Sequence, residues 1–187
     1  GKYRIRLGSF AIKKSFLDKT KIRFTEECPL AEDVEFIFKC LSNAGEVKTI
    51  NKILFTYAKR GGSAMYTYCL ERLEVPRVIK RISDYVEENT DLFRDDEVKD
   101  YLRNGFLIQH AIYAFDSCIG YLNDRELRRE FLHAYYDKYS DIEEEIKRAS
   151  KEMIIKPTVS SHKKVKLFCI SRSLYVTIFS LRMNGSK

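Results

Sequence analysis

One stretch constrains the fold of this chain more than any other: Ile22 to Leu41, which reads IRFTEECPLAEDVEFIFKCL. It joins a short alternating segment to a run with helical periodicity, and the adjacent pair Glu32-Asp33 lies at the junction. The apolar positions after the pair are Val34, Phe36, Ile37, Phe38, Cys40 and Leu41. Their spacing predicts a helix that buries one face and leaves Glu35 and Lys39 in solvent.

The predicted helix begins at or just after Glu32-Asp33. Carboxylates in a first helical turn face unpaired backbone N–H groups and the positive end of the helix dipole, so they are stabilised there when ionised. The pair therefore has two interpretations, as an ordinary helix start or as functional carboxylates held at the end of a rigid element.

Composition limits the possible classes of protein. The chain has 187 residues, of which 44% are hydrophobic, enough for one large domain or two small units with a core. The net charge of +7 comes from Lys and Arg spread among many acids. Such a surface attracts anions without the density of a dedicated nucleic-acid-binding protein, so no nucleic-acid partner is predicted.

Cysteine and histidine usage argues against a metal site in this chain. The cysteines are odd in number and widely scattered, which is typical of apolar residues in a reducing compartment. The three histidines, His110, His133 and His162, are far apart in sequence. We therefore predict no metal ligands, and we expect His110 and His133 to lie on the inner faces of helices.

Two segments of the first third have the composition of strands. Lys2 to Arg6 alternates basic and apolar residues, and Val47 to Tyr57 is rich in β-branched and aromatic residues. A short helix is predicted over Phe10 to Leu17. Arg60 and Ser63 then follow in a glycine-containing loop.

From about Tyr66 the pattern becomes helical throughout. The spacing of apolar residues predicts helices over Leu70 to Glu88, Asp95 to Ile119, Asp124 to Tyr139 and Asp141 to Met153. We therefore predict two domains, residues 1–66 with strands and helices, and residues 67–187 as a helical extension.

The C-terminal segment, residues 163–183, combines large apolar residues with cations and contains no acid. As a helix it would have an apolar face containing Leu167, Ile170, Leu174, Ile178 and Leu181. This combination is typical of a helix that lies at the headgroup boundary of an anionic membrane. The equally weighted alternative is a last core helix or a buried strand.

Residues 5–70 carry a resemblance to a known family. The order IRF, ED, aromatic-rich helix, glycine turn and a strand ending Tyr-x-x-Arg-x-x-Ser resembles the second half of the catalytic domain of family-two glycosyltransferases. These are inverting GT-A enzymes that build bacterial capsule, exopolysaccharide and cell-wall glycans. The resemblance implies an α/β fold: the second half of a GT-A domain, a few strands plus helices, followed by an α-helical extension. The residue before the acidic pair is Ala31, where many relatives have Gly.

The resemblance also implies roles for four residues. Asp33 would be the catalytic base that takes the proton of an acceptor hydroxyl, and Glu32 would orient the acceptor. Arg60 and Ser63 would bind the departing diphosphate. The implied partners are a nucleotide-sugar donor and a glycan or lipid-linked acceptor, in the cytoplasm or peripherally on the inner face of the plasma membrane.

The first half of such a domain, with its DxD-type acidic motif, does not occur in this sequence. The divalent cation of the family, Mg or Mn, would be bound by that motif in the complete enzyme. We therefore expect this chain to be a fragment that is inactive by itself and binds no metal.

A second hypothesis belongs to a different class. The helical part and its basic tail would form a non-enzymatic interaction module that binds a protein or an anionic partner, with Glu32-Asp33 only a helix start. A glycoside hydrolase ranks last, because its two carboxylates must flank the scissile bond rather than be sequence neighbours.

Overall fold

The computed structural model describes residues 7–53, 56, 70–89, 91–155 and 163–184. The chain divides into two units, Gly1–Thr67 and Tyr68–Lys187. The sequence elements that lie outside the described residues include Lys2 to Arg6, the end of the predicted strand at Tyr57, and the Arg60 to Ser63 loop.

The described part of the first unit is helical. A 3-10 turn, Leu7–Ser9, precedes α1, Lys14–Thr20, and α2 spans Glu32–Asn43. The helix predicted over Phe10 to Leu17 is thus present but shifted towards the C-terminus. Helix α2 ends at Asn43, directly before Ala44, whose backbone is extended.

The first unit has a small apolar core. Ile22, Phe36 and Cys40 form its buried centre. Four partly buried residues pack against them: Leu7, Ile12, Phe16 and Leu17. The segment at Ile22 and helix α1 therefore pack against one face of α2, as the periodicity of α2 predicted.

The predicted α/β fold class is wrong for the described part of the chain. Residues 46–53 run without helix or strand, and no strand occurs elsewhere among the described residues. Val47, Ile50 and Ile53 are exposed there, Ile53 by 94%. A strand needs a neighbouring strand to take its backbone hydrogen bonds, and the described residues provide none. The β-propensity of this segment is therefore insufficient by itself to form a strand.

The second unit consists of helices, as its periodicity predicted. A 3-10 turn, Leu70–Glu74, leads into α3, Val75–Glu88. The next helical stretch begins as α4, Asp96–Asp100, passes through a π-helical segment, Tyr101–Phe106, and continues as α5, Leu107–Ile119. The remaining helices are α6, Arg125–Lys138, α7, Ser140–Ile155, α8, Lys163–Ile170, and α9, Arg172–Asn184.

Helix α5 lies at the centre of this unit. It packs against α3, α7, α8 and α9. The Phe115 ring, which is fully buried, makes edge-to-face contacts with Phe131, Tyr135 and Phe168, with ring centroids 4.8 to 5.5 Å apart. One aromatic side chain therefore joins α5 to α6 and α8.

The C-terminal segment is helical, which excludes the buried-strand alternative. Phe168, Tyr175 and Val176 are buried in the second unit, whereas Ile170, Leu174 and Leu181 are exposed. Within the described residues, none of the helices combines the length and the apolar character that crossing a bilayer requires.

Candidate functional site

The predicted catalytic pair lies in the first turn of α2. Glu32 and Asp33 are the first two residues of the helix, and both are half-buried. The carbonyl of Ala31 accepts hydrogen bonds from the amides of Val34 and Glu35, at 3.0 and 3.3 Å. The two carboxylates are therefore carried by regular backbone at the positive end of the helix dipole.

The backbone before the pair is unusual. Ala31 has a φ of 63°, in the left-handed region. The other described non-glycine residues with positive φ are Lys21 and Glu27, which lie in the same segment. Left-handed backbone is unfavourable for residues with a Cβ and clusters at functional sites. Glycine would adopt this backbone without the penalty of a Cβ.

An aromatic stack fixes the approach to α2. The ring of Phe24 stacks on the ring of Phe36 with 4.2 Å between centroids and 13° between planes. Ile22, two residues earlier, is buried in the core of the unit. The segment leading to Glu32-Asp33 is therefore anchored on the helix that carries the pair.

The prediction that Glu35 lies in solvent is wrong. Its side chain is 2% exposed, and Lys39 Nζ donates to Glu35 Oε1 at 2.7 Å. Val34, predicted to be buried, is 40% exposed. The buried face of α2 is thus rotated towards Glu35, and this buried carboxylate is stabilised by an ion pair one turn along the helix.

Two further residues were predicted to bind the departing diphosphate. Arg60 and Ser63 lie outside the described residues. Within the described part of the chain, no three side chains of His, Cys, Asp or Glu are grouped so as to hold a metal ion. The divalent cation implied by the glycosyltransferase resemblance therefore has no fitting ligand set there.

A charged cleft of about 150 Å³ lies between α3, the π-helical segment and α7. Its cations are each matched by an acid. Lys80 lies 2.7 Å from Asp84, Arg103 lies 3.3 Å from Glu87, and Arg148 lies 3.0 Å from Glu145. π-Helical segments are frequent at functional sites. In this cleft, however, the paired charges of the lining cancel, so the lining has no excess charge to attract an ionic ligand.

A second, largely apolar groove of about 380 Å³ lies beside α6. It is lined by Tyr121, Leu122, Leu127, Glu130, Phe131 and Ala134. Glu130 is the single charged side chain in this lining, so the groove does not contain a set of residues that could catalyse a reaction.

Sequence reasoning missed a buried polar network in the second unit. Glu143 and Arg172 are each 4% exposed, and Arg172 Nε lies 3.3 Å from Glu143 Oε2 without hydrogen-bond geometry. Arg172 Nη1 donates to the carbonyl of Phe168 at 2.6 Å. Glu143 begins the acidic run Glu143 to Glu145, a pattern that is typical of a solvated helix face. Its spacing of three residues from the buried Ile146 was the signal that could have placed it inside.

His110 and His133, both predicted to lie on inner helical faces, differ in burial. His110 is half-buried, its Nδ1 lies 3.0 Å from the carbonyl of Phe106, and burial lowers its pKa. His133 is exposed, so its predicted position on an inner helical face is wrong.

Comparison with known proteins adds no relative. No protein-family model, curated protein or solved structure matches this chain. The resemblance to glycosyltransferases therefore depends on the sequence motif alone.

Proposed function

We propose that this chain carries the acceptor-activating carboxylates of an inverting glycosyltransferase, with Asp33 as the catalytic base. The observation that carries the proposal is the left-handed backbone of Ala31, immediately before a helix that begins at Glu32. Many family members have Gly at this position, which is the residue that such backbone favours. The left-handed backbone at Ala31 therefore supports the proposal alongside the residue order.

The position of Asp33 suits proton abstraction. An alcohol is a poor nucleophile near neutral pH, so a carboxylate within hydrogen-bond reach must take its proton during attack. The acceptor oxygen then bonds to the anomeric carbon, and the bond from that carbon to the diphosphate oxygen breaks on the opposite face. The electron pair of the broken bond leaves with the diphosphate. A carboxylate in the first turn of a helix is attached to rigid backbone by a short side chain. It therefore loses little conformational entropy when it is positioned for the reaction.

The proposal also assigns roles to Glu32 and to the residues that would bind the nucleotide-sugar donor. Glu32, adjacent to Asp33, would accept a hydrogen bond from a second hydroxyl of the acceptor and orient it. Arg60 and Ser63 would donate charge-assisted hydrogen bonds to the diphosphate of a nucleotide-sugar. We assign the divalent cation, Mg or Mn, to no residue of this chain, because its described side chains do not form a ligand set.

The proposed acceptor is a bacterial cell-surface glycan or its lipid-linked precursor. Nucleotide-sugars are cytoplasmic, so we assign the reaction to the cytoplasm, with peripheral attachment to the inner face of the plasma membrane. Supporting this assignment, the C-terminal helices expose aliphatic side chains beside cations.

The experiment is a donor screen on the longest natural protein that contains this sequence. That protein is incubated with Mg²⁺ or Mn²⁺ and a panel of nucleotide-sugars, and release of nucleoside diphosphate is measured with and without simple glycoside acceptors. Release that depends on one nucleotide-sugar and increases with acceptor is expected. Absence of release with every donor would contradict the proposal.

The alternative is a helical interaction module without catalysis, which binds a protein or an anionic partner. The observation that favours it is the helical second unit with its exposed aliphatic and cationic C-terminal face. The double variant Glu32→Gln/Asp33→Asn separates the two functions. A module would keep its partner affinity and show no donor turnover in either form, whereas the transferase would lose turnover in the variant.

A further inference from the structure

Helices α8 and α9 are apolar on two faces. Phe168, Tyr175 and Val176 are buried against the rest of the second unit. On the other side Ile170, Leu174 and Leu181 are exposed by 70, 53 and 56%. The spacing of seven residues places Leu174 and Leu181 on one face of α9, and Ile170 is the last residue of α8. A helix that is apolar on both sides usually has both sides covered, and the second unit covers only one.

Polar contacts fix which face points outward. Lys164 Nζ donates to Asp116 Oδ2 at 2.6 Å, and Tyr175 donates its hydroxyl hydrogen to Asp116 Oδ1 at 2.5 Å. Arg172 is held by Glu143, with 3.3 Å between Nε and Oε2. Amide hydrogen bonds with helical spacing cross the junction of the two helices, from Ser171 to Leu167 and from Tyr175 to Ser171. The exposed aliphatic face is therefore presented by an anchored element.

The charge around this face has one sign. Residues 163–184 include five cations and no acid. Asp116 and Glu143 compensate two of them, Lys164 and Arg172. Lys163, Lys166 and Arg182 are exposed, and the Arg182 guanidinium also lies 5.5 Å from the centroid of the Phe179 ring. The outward surface thus has aliphatic side chains in its middle and cations towards both ends.

We propose that this face of α8 and α9 binds an anionic membrane surface, with the helices parallel to the bilayer plane. Ile170, Leu174 and Leu181 enter the boundary between headgroups and acyl chains, while the three cations contact anionic headgroups. The composition fits a lipid surface better than a protein partner. Protein interfaces concentrate their binding energy in Trp, Tyr and Arg at the centre, whereas the centre here is aliphatic. The attachment does not require the sugar-transfer reaction.

The test is co-sedimentation of the whole chain with vesicles of phosphatidylcholine alone or with 30% phosphatidylglycerol. Binding only to the anionic vesicles, weakened by salt, is expected. The aliphatic variant Leu174→Gln/Leu181→Gln should reduce the partition coefficient at least about tenfold. The cationic variant Lys163→Gln/Lys166→Gln should reduce it by about fivefold for each lysine and weaken the salt dependence.

Matched variants control for general effects. Leu92→Gln/Leu127→Gln changes two leucines that are also exposed but lie off this face, and Lys151→Gln changes an exposed lysine of α7. These variants should bind like the unchanged chain. Thermal unfolding by circular dichroism establishes that each variant is folded.

Several outcomes would overturn the proposal. They are failure of the unchanged chain to bind either vesicle at low salt, equal binding to both vesicles, and unchanged binding by the aliphatic variant. A dimer that Leu174→Gln/Leu181→Gln converts to a monomer would also overturn it, because a second copy would then cover the face. Loss of vesicle binding would also remove the proposed peripheral attachment, but it leaves the donor screen unaffected, so the sugar-transfer reaction is tested separately.

Discussion

Tyr135 donates its hydroxyl hydrogen to Glu143 Oε2 at 2.5 Å, and both side chains are buried. The same carboxylate oxygen lies 3.3 Å from Arg172 Nε. This carboxylate therefore connects three helices, α6, α7 and α9. A buried carboxylate is tolerated only when its partners replace water, so the three side chains depend on one another.

Replacing Tyr135 with Phe should lower the free energy of unfolding by about 1.5 to 3 kcal/mol, because a hydrogen bond to a buried charge is lost while the ring remains. Urea denaturation followed by circular dichroism measures the change. Tyr136→Phe, at the exposed neighbouring position, is the control and should change it by less than about 0.5 kcal/mol. Equal effects of both variants would contradict the assigned role of Tyr135.

Arg172→Met should destabilise the fold by about 3 to 5 kcal/mol, because it leaves Glu143 charged and buried without its cation. Adding Glu143→Leu to Arg172→Met should recover part of that loss, since the pair then becomes apolar. Four denaturation curves, for the unchanged chain, both single variants and the double variant, give the coupling energy. Strict additivity would mean that the two side chains do not interact.

Stability should fall steeply in alkali. Burial raises the pKa values of Tyr135, Tyr139 and Tyr175, and a neighbouring carboxylate raises each of them further. A raised pKa means that the folded state keeps a proton which the unfolded state loses. The stabilisation is therefore complete below the unfolded tyrosine pKa of about 10 and decreases above it.

Above pH 10 the contribution of each of these tyrosines to the decrease should approach about 1.4 kcal/mol per pH unit. Urea midpoints between pH 10 and 12 measure the slope. Tyr175→Phe should make the slope shallower by one such contribution, whereas Tyr113→Phe, at an exposed position, should not change it. An unchanged slope in Tyr175→Phe would contradict the prediction.

Ala31→Gly should stabilise α2 by about 1 kcal/mol, because glycine adopts left-handed backbone without the Cβ penalty. Ala44→Gly is the matched control, since Ala44 has a φ of −76° and glycine there should only add unfolded-state entropy. Hydrogen exchange of the α2 amides should slow in the first variant and quicken in the second. Faster exchange in Ala31→Gly would exclude left-handed backbone at position 31.

The helices of the second unit were predictable because their signal is local. Apolar spacing, the N-terminal caps Asp95 and Asp124 and the breaks between helices lie within a few residues of each element. The π-helical segment Tyr101–Phe106 was not predictable, because its apolar spacing resembles that of the α-helix on either side.

The irregular backbone of residues 47–53 and the polar core were not predictable, because both depend on residues that are distant in sequence. Residues 47–53 have strand propensity, yet a strand forms only when another lies beside it. Glu143 is buried because Tyr135 and Arg172 reach it from other helices, and although its spacing from Ile146 indicates the buried face, no local pattern identifies these two partners. For the candidate site, the helix start at Glu32 was predicted, whereas the left-handed backbone at Ala31 required the structure.

The most direct measurement of the central claim is kcat for sugar transfer by Asp33→Asn in the longest natural protein that contains this sequence. The amide keeps the shape of the side chain but cannot take a proton, so kcat should fall by about 10² or more while nucleotide-sugar affinity stays nearly unchanged. Asp96→Asn makes the same change in the first turn of α4 and should leave both quantities unaltered. Retention of more than about a tenth of kcat in Asp33→Asn would contradict the assignment of Asp33 as the base.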